Sequence, residues 1–167
     1  MAPSLLTMIR RLGRSIGGAG LAFALVAAGL MATRSSRAFT PPGRYSYGIG
    51  TVLDTQTNLI WQTAPEAASS SWNDAVSTCQ GLNLGGVYGW RLPTVGELES
   101  IVDDSRSAPA VDPTTFPNTP VDVDFWTSSN VVGVGSTYGW AVSFQDGSST
   151  FHFRSDLLHV RCVLTSH

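Results

Sequence analysis

Two cysteines constrain the fold of this chain more than any other feature. Cys79 lies on an apolar helical stripe, and Cys162 alternates with Val160 and Leu164 on the last predicted strand. Both side chains therefore point to the interior, so a helix packed on the sheet brings them together. The alternative is two buried free thiols, since free cysteine is among the most buried residue types. We favour a disulfide between the two cysteines. Because it would close a loop of 83 residues, it would stabilise the fold by about 4 kcal/mol.

Two amphipathic helices are predicted. The first begins after Ser71, which is followed three residues later by Asp74 as in a capping box, and it ends at Gly81. The second begins after Thr94, with Glu97 in the matching position of the box. The apolar stripes of the two helices are Trp72, Ala75, Val76, Cys79 and Leu82, and Val95, Leu98, Ile101 and Val102.

The other periodic segments are strands. They cover residues 51–54, 59–62, 125–128, 138–144, 151–154 and 159–164. Asn58 suits the positive φ of one hairpin turn, and Asp146-Gly147 marks a second hairpin. These patterns predict a single α+β domain in which two helices flank an antiparallel sheet, with a long irregular loop region.

That loop covers residues 103–124, where four prolines and five aspartates interrupt any periodic pattern. Loops of this length in compact domains are usually functional or mobile. Asp103, Asp104 and Asp112 can supply the hard oxygen ligands that calcium prefers. The alternative is a solvated loop in which aspartates cap turns. No other cofactor is expected.

A binding surface is predicted on residues 103–137, because the helices and strands use their apolar faces in the core while this segment lacks periodicity. Its candidate contacts are Trp126, Asp122 and Asp124. The aspartates make this surface acidic, so we expect a neutral or cationic ligand.

The motif Trp90-Arg91-Leu92-Pro93-Thr94, continued to Glu97, has a predicted structural role. Arg91 is either an anion contact or a buried arginine paired with Glu97 or Asp103. Its place inside an apolar motif favours the ion pair.

The N-terminal 38 residues have the pattern of a signal peptide. Arg10, Arg11 and Arg14 precede an apolar stretch over 16–32, and small residues precede a cleavage site near Ala38. The alternative is a membrane anchor. We predict that residues 39–167 form one exported domain in the periplasm, at the cell surface or outside the cell, with no stable membrane span after cleavage.

The charge of residues 39–167 excludes a nucleic-acid partner. They contain five arginines, no lysine and 12 acidic residues. Phosphate contacts from basic residues supply most nucleic-acid affinity, and this segment has no basic stripe to make them.

Several motifs occur in an order that resembles the Lcl C-terminal domain family, which is named from a bacterial collagen-like adhesin. They include Thr57-Asn-Leu-Ile-Trp-Gln62, Gly89-Trp-Arg-Leu-Pro-Thr94, Phe125-Trp-Thr-Ser-Ser129 and Val160-Arg-Cys-Val163. The resemblance covers nearly all of residues 48–164. It implies a variant of the C-type lectin-like fold, with a disulfide from the first helix to the last strand. It also implies surface or extracellular binding, with sulfated glycans as ligands in the adhesin; this chain has no collagen-like stalk and few basic residues.

The predicted function is an exported, non-catalytic binding or adhesion module for a glycan or a surface protein. Two alternatives stay open. A similar Arg-Leu-Pro-Thr motif occurs in formylglycine-generating and sulfatase-modifying enzymes, and the third possibility is a structural envelope component. Enzymes of that group need cysteine chemistry, which a structural disulfide would prevent.

Overall fold

The structure is a computed structural model of the chain, and it describes residues 41–133 and 135–166. The predicted signal peptide lies outside the described residues and stays a prediction. Within those two ranges, no helix combines the length and the apolar character needed to cross a membrane.

The described residues form seven strands and two α-helices. They are β1 (Tyr45–Tyr47), β2 (Thr51–Asp54), β3 (Leu59–Gln62), α1 (Trp72–Gly81), α2 (Val95–Glu99), β4 (Phe125–Asn130), β5 (Tyr138–Val142), β6 (Ser149–Phe153) and β7 (Val163–Thr165). A short 3-10 turn, Gly135–Thr137, precedes β5. The predicted α+β class is confirmed.

The strands form two antiparallel sheets, so the prediction of a single sheet was wrong. The first sheet has the order β1-β2-β3-β7, and the second has the order β4-β5-β6. The closing strand pairs with β3, where Trp61 lies opposite Val163. The closing strand β7 therefore does not pair with β4, β5 or β6. The chain contacts β4 just before β7 begins, through a parallel bridge between Phe125 and His159. Alternation identifies strands but does not say which strands pair.

The predicted caps hold both helices. The Ser71 side chain accepts a hydrogen bond from the Asp74 amide at the start of α1. At α2, Thr94 and Glu97 form a complete capping box. The helix is short and ends at Glu99, because residues 103–124 turn back to pack on the core.

The loop is irregular but packed. Val111 and Phe116 are fully buried in a core cluster that also contains residues of α2 and of both sheets. Backbone hydrogen bonds join Ala110 to Asp103 and to Phe144. Val111, Phe116 and Phe125 of the predicted binding segment therefore belong to this cluster, which we call the first core.

The predicted disulfide is present between Cys79 and Cys162, with a sulfur–sulfur distance of 2.04 Å. Both residues are fully buried in a second core cluster, beneath α1. The bond ties α1 to the segment that leads into β7.

Arg161 departs from the predicted alternation. The pattern placed Val160 and Cys162 inside and implied that Arg161 pointed to solvent, yet residues 160–163 are all fully buried. The segment passes between the two cores: Val160 and Cys162 face the second, and Val163 faces the first. Arg161 lies among three phenylalanine rings of the first core, at 4.8 to 5.5 Å from their centroids.

Candidate functional site: an aromatic surface on the second sheet

Four aromatic side chains lie together on the β5–β6 hairpin, and we call them the aromatic surface. They form two cross-strand pairs, Tyr138 opposite Phe153 and Trp140 opposite Phe151. Phe151 and Phe153 are 50% and 49% exposed. Contiguous exposed apolar groups of this kind usually mark a binding site in soluble proteins.

The rings support one another. The ring centroids of Tyr138 and Phe153 are 4.5 Å apart, with an angle of 32° between the planes. Phe151 meets Tyr138 and Trp140 edge-on, at 5.6 and 5.9 Å. Edge-to-face contacts of this kind hold aromatic side chains in fixed positions. The surface is therefore a set of mutually restrained rings.

The opposite face of β5 explains why these rings point outward. Gly139 and Ala141 are buried there. A Cβ atom at Gly139 would lie 3.0 Å from the Trp72 ring and 3.3 Å from the Trp126 ring. Because only small residues fit on that side, the large side chains of the strand occupy the other one.

The same sheet face is covered at its other end. Val142 and Phe125 are paired across β4 and β5 and belong to the first core, which α2 helps to close. Tyr138 and Trp140 are half-buried on the same face, and neither belongs to a core cluster.

Two polar groups interrupt the apolar area. In the described part of the chain, the Tyr138 hydroxyl and the Trp140 indole N–H have no hydrogen-bond partner. A tyrosine or tryptophan with an unused polar end suits a ligand that is both apolar and hydrogen-bonding.

Arg154 follows Phe153, and its side chain lies on the opposite face of the sheet, against Trp72. Its Nε donates to the Tyr138 carbonyl at 3.1 Å, and its Nη2 donates to the Asn130 side chain. The guanidinium lies 3.8 Å from the ring centroid of Trp72. Among the residues described, it is the one exposed or half-exposed guanidinium without a carboxylate partner; the others pair as Arg44–Asp54, Arg91–Glu97 and Arg106–Asp103.

The structure places the predicted contact Trp126 in the core. The side chain is fully buried, and its indole N–H donates to the Ser70 carbonyl at 2.8 Å. The placement of Trp126 on a surface was wrong, because β4 turns this side chain towards α1 and the second core.

The predicted contacts Asp122 and Asp124 lie beside histidines. An Asp124 oxygen is 2.9 Å from Nε2 of His152, and an Asp122 oxygen is 3.7 Å from Nε2 of His159. Ser69 lies on the other side of His159, with Oγ 3.4 Å from Nδ1. The distances from His159 to Asp122 and to Ser69 both exceed the reach of about 3.2 Å that proton transfer needs. These three side chains therefore do not form a proton relay in this geometry. Ligand binding at the two aspartates stays a prediction.

The candidate calcium ligands are engaged by the loop itself. Burial favours the neutral form of Asp103, but hydrogen bonds from Ser105 and Arg106 outweigh it and lower the pKa of this carboxyl. Asp112 accepts hydrogen bonds from residues 114 and 115, and Asp104 is exposed. In residues 41–133 and 135–166, no three His, Cys, Asp or Glu side chains converge on one point. The calcium site stays a prediction.

Residues 90–97 are held by an ion pair and by burial of their apolar side chains. Arg91 donates two hydrogen bonds to Glu97, at 2.8 and 2.7 Å, and thereby lowers the pKa of the Glu97 carboxyl. Trp90, Leu92 and Pro93 are buried. Of the two partners that the sequence allowed for Arg91, the structure selects Glu97.

These features define a small disulfide-linked α+β domain with two antiparallel sheets and an exposed aromatic face. The family model of the Lcl C-terminal domain matches residues 50–164, and the chain belongs to this family. A search of curated proteins finds no significant match.

Sequence reasoning missed the aromatic surface. The available signal was the alternation of Tyr138 and Trp140 with Gly139 and Ala141. Large residues opposite small ones indicate that one face is crowded, but they do not show which face is open to solvent.

Proposed function

We propose that the protein is an exported, non-enzymatic surface module that binds a neutral glycan on the aromatic surface. The observation that carries the proposal is a set of four mutually packed rings, of which Phe151 and Phe153 are half-exposed and Tyr138 and Trp140 are half-buried. We also infer a variant of the C-type lectin-like fold, which the disulfide from α1 to the last strand supports.

The chemistry of the surface fits a sugar better than a purely apolar partner. A pyranose has an apolar C–H face that packs on an aromatic ring and hydroxyl groups around its edge. Here the rings of Phe151 and Phe153 offer apolar contact, while the Tyr138 hydroxyl and the Trp140 N–H can bond with hydroxyls.

The charges favour a neutral ligand over a sulfated one. Three of the five arginines in the described part are neutralised by carboxylates, and Arg161 is buried. Arg154 is already bonded to Asn130 and stacked on Trp72. Polyanion binding needs several free cations on one surface, and the Arg154 side chain lies on the opposite face of the sheet from the aromatic rings.

The cysteines support a non-enzymatic role over the sulfatase-modifying alternative. The chain has two cysteines, and both are committed to one buried disulfide. A thiolate nucleophile cannot form while the sulfur is oxidised.

The experiment is a screen of residues 39–167 on an array of neutral glycans, followed by calorimetry with the strongest binder. Phe151→Ala removes one exposed ring, and we expect at least a tenfold loss of affinity, which is about 1.4 kcal/mol. Tyr88→Ala is the matched control, because Tyr88 is 67% exposed on a different part of the surface. Absence of binding to every neutral glycan, or equal loss in both variants, would overturn the proposal.

A further inference from the structure

A half-open cavity of about 230 Å³ lies between α1 and β4, and we call it the α1 cavity. One wall is a line of α1 side chains at every fourth position. The lining residues are Trp72, Val76 and Gln80 from α1, and Arg91, Leu92 and Ser128 opposite. Gly139 faces Trp72 while Tyr138 and Trp140 point the other way, so the cavity and the aromatic surface lie on opposite faces of β5.

The walls of the α1 cavity are held in place by hydrogen bonds. The Trp72 indole N–H donates to the Thr127 carbonyl at 2.8 Å. The Ser128 amide and hydroxyl both donate to the Pro93 carbonyl, at 2.7 and 3.2 Å. The Arg91 amide donates to the Val163 carbonyl at 2.9 Å. A site whose walls are fixed before binding loses little ordering entropy when a ligand enters.

The polar groups of the cavity are uncharged as a set. Glu97 neutralises Arg91 through two hydrogen bonds to its Nη atoms, and the Arg91 Nε–H has no partner in the described residues. In the same part of the chain, the Gln80 amide also has none. Ser128 donates its proton to Pro93 and keeps lone pairs that can accept. The lining side chains therefore offer donors and acceptors without net charge, and the cation beside them, Arg154, already stacks on the Trp72 ring at 3.8 Å from its centroid.

We propose that the α1 cavity binds one neutral pyranose ring, as a second sugar site independent of the aromatic surface. The ligand class rests on the proposed function, whereas the geometry of the cavity stands alone. Trp72, Val76 and Leu92 contact the C–H face of the ring. Gln80 and Ser128 bond with its hydroxyls, which each donate and accept. The volume lies below the range of drug-sized sites, about 300 Å³ and upward, and so fits a single ring.

The test uses methyl glycosides of glucose, galactose and mannose, measured by saturation-transfer NMR and titration with residues 39–167. Val76→Phe fills the cavity, and Gln80→Ala removes an exposed amide without touching the core. We expect at least a tenfold weaker dissociation constant in each variant for the glycoside that binds best. Gln56→Ala is the matched control, since Gln56 is an exposed glutamine in the β2–β3 turn.

The outcomes are separable. The proposal for the α1 cavity is overturned if none of the three glycosides binds at about 50 mM, a concentration far above a millimolar dissociation constant. Unchanged affinity in both Val76→Phe and Gln80→Ala does the same, with folding checked by thermal melting. Phe151→Ala distinguishes the two proposals: it should abolish array binding on the aromatic surface and leave glycoside binding in the α1 cavity unchanged.

Discussion

Arg161 gives the sharpest test of how this domain is stabilised. It is fully buried, and in the described part of the chain no carboxylate lies within 4.0 Å of it. Its Nη2 donates to the Thr119 hydroxyl at 2.8 Å and to the Thr63 carbonyl at 3.3 Å. Its guanidinium packs on the rings of Phe116, Phe125 and Phe144.

The opposing free energies are similar in size. Burial lowers the pKa of Arg161 well below its ordinary value, to about 9, which corresponds to about 5 kcal/mol against the charged form. The three contacts between the guanidinium and the aromatic rings stabilise the charged form by about 3 kcal/mol. The two hydrogen bonds that the guanidinium donates stabilise the charged form by about 3 kcal/mol more. These contacts roughly offset the cost of burial, although the Nε and Nη1 groups of Arg161 are buried without a hydrogen-bond partner in the described residues.

Two substitutions separate charge from shape. Arg161→Met removes the desolvation cost together with the compensating contacts, and its flexible apolar chain fills the space. We expect the free energy of unfolding to stay within about 1.5 kcal/mol of the natural protein. Arg161→Lys keeps a buried charge, but the compact ammonium cannot cover three rings and reach Thr119 and Thr63 together. We expect it to lose about 3 kcal/mol, or about 12 °C in melting temperature at about 4 °C per kcal/mol.

The assay is urea unfolding and thermal melting of residues 39–167, with Arg106→Met and Arg106→Lys as matched controls. Arg106 is half-exposed in a surface ion pair, so both controls should change stability by less than about 1 kcal/mol. Above pH 9 the unfolded chain binds more protons at Arg161 than the folded one, so the natural protein should gain stability relative to Arg161→Met as the pH rises. A lysine variant as stable as the natural protein, or a methionine variant that loses more than about 4 kcal/mol, would refute the reasoning.

Three further predictions concern other parts of the fold. Replacing both Cys79 and Cys162 by Ala should cost at least about 4 kcal/mol in urea unfolding, because the disulfide closes 83 positions of chain. Burial favours the neutral form of Asp54, but hydrogen bonds from Arg44 and from the Gln56 amide outweigh it and hold the pKa of this carboxyl below its ordinary value. Stability should therefore fall as the pH drops below about 4, and less steeply in Asp54→Asn. Trp126→Ala should lose about 3–5 kcal/mol in thermal melts referred to the natural protein, as expected for a buried ring.

Each of these has a contrary result. Equal stability with and without the cysteines would show that the unfolded chain is not constrained by the bond. An acid profile unaltered in Asp54→Asn would assign the acid sensitivity to other carboxyls. A small loss in Trp126→Ala would show that the second core does not depend on that ring.

The sequence alone determined the features that depend on residues close together in the chain. The caps at Ser71 and Thr94 and the hairpin turn at Asn58 are set by local hydrogen bonds and by backbone conformation. The disulfide partners could also be inferred, because each cysteine lay on an apolar face and the chain has no third cysteine.

Only the tertiary structure decided which faces are covered. Arg161 is buried because its segment lies between two cores, and Trp126 is buried because β4 faces α1. Trp140 stays half-exposed although its neighbours Gly139 and Ala141 in the same strand are buried. Alternation states that two faces differ, but burial depends on the element that packs on each face. That element is distant in sequence, so no local pattern encodes its position.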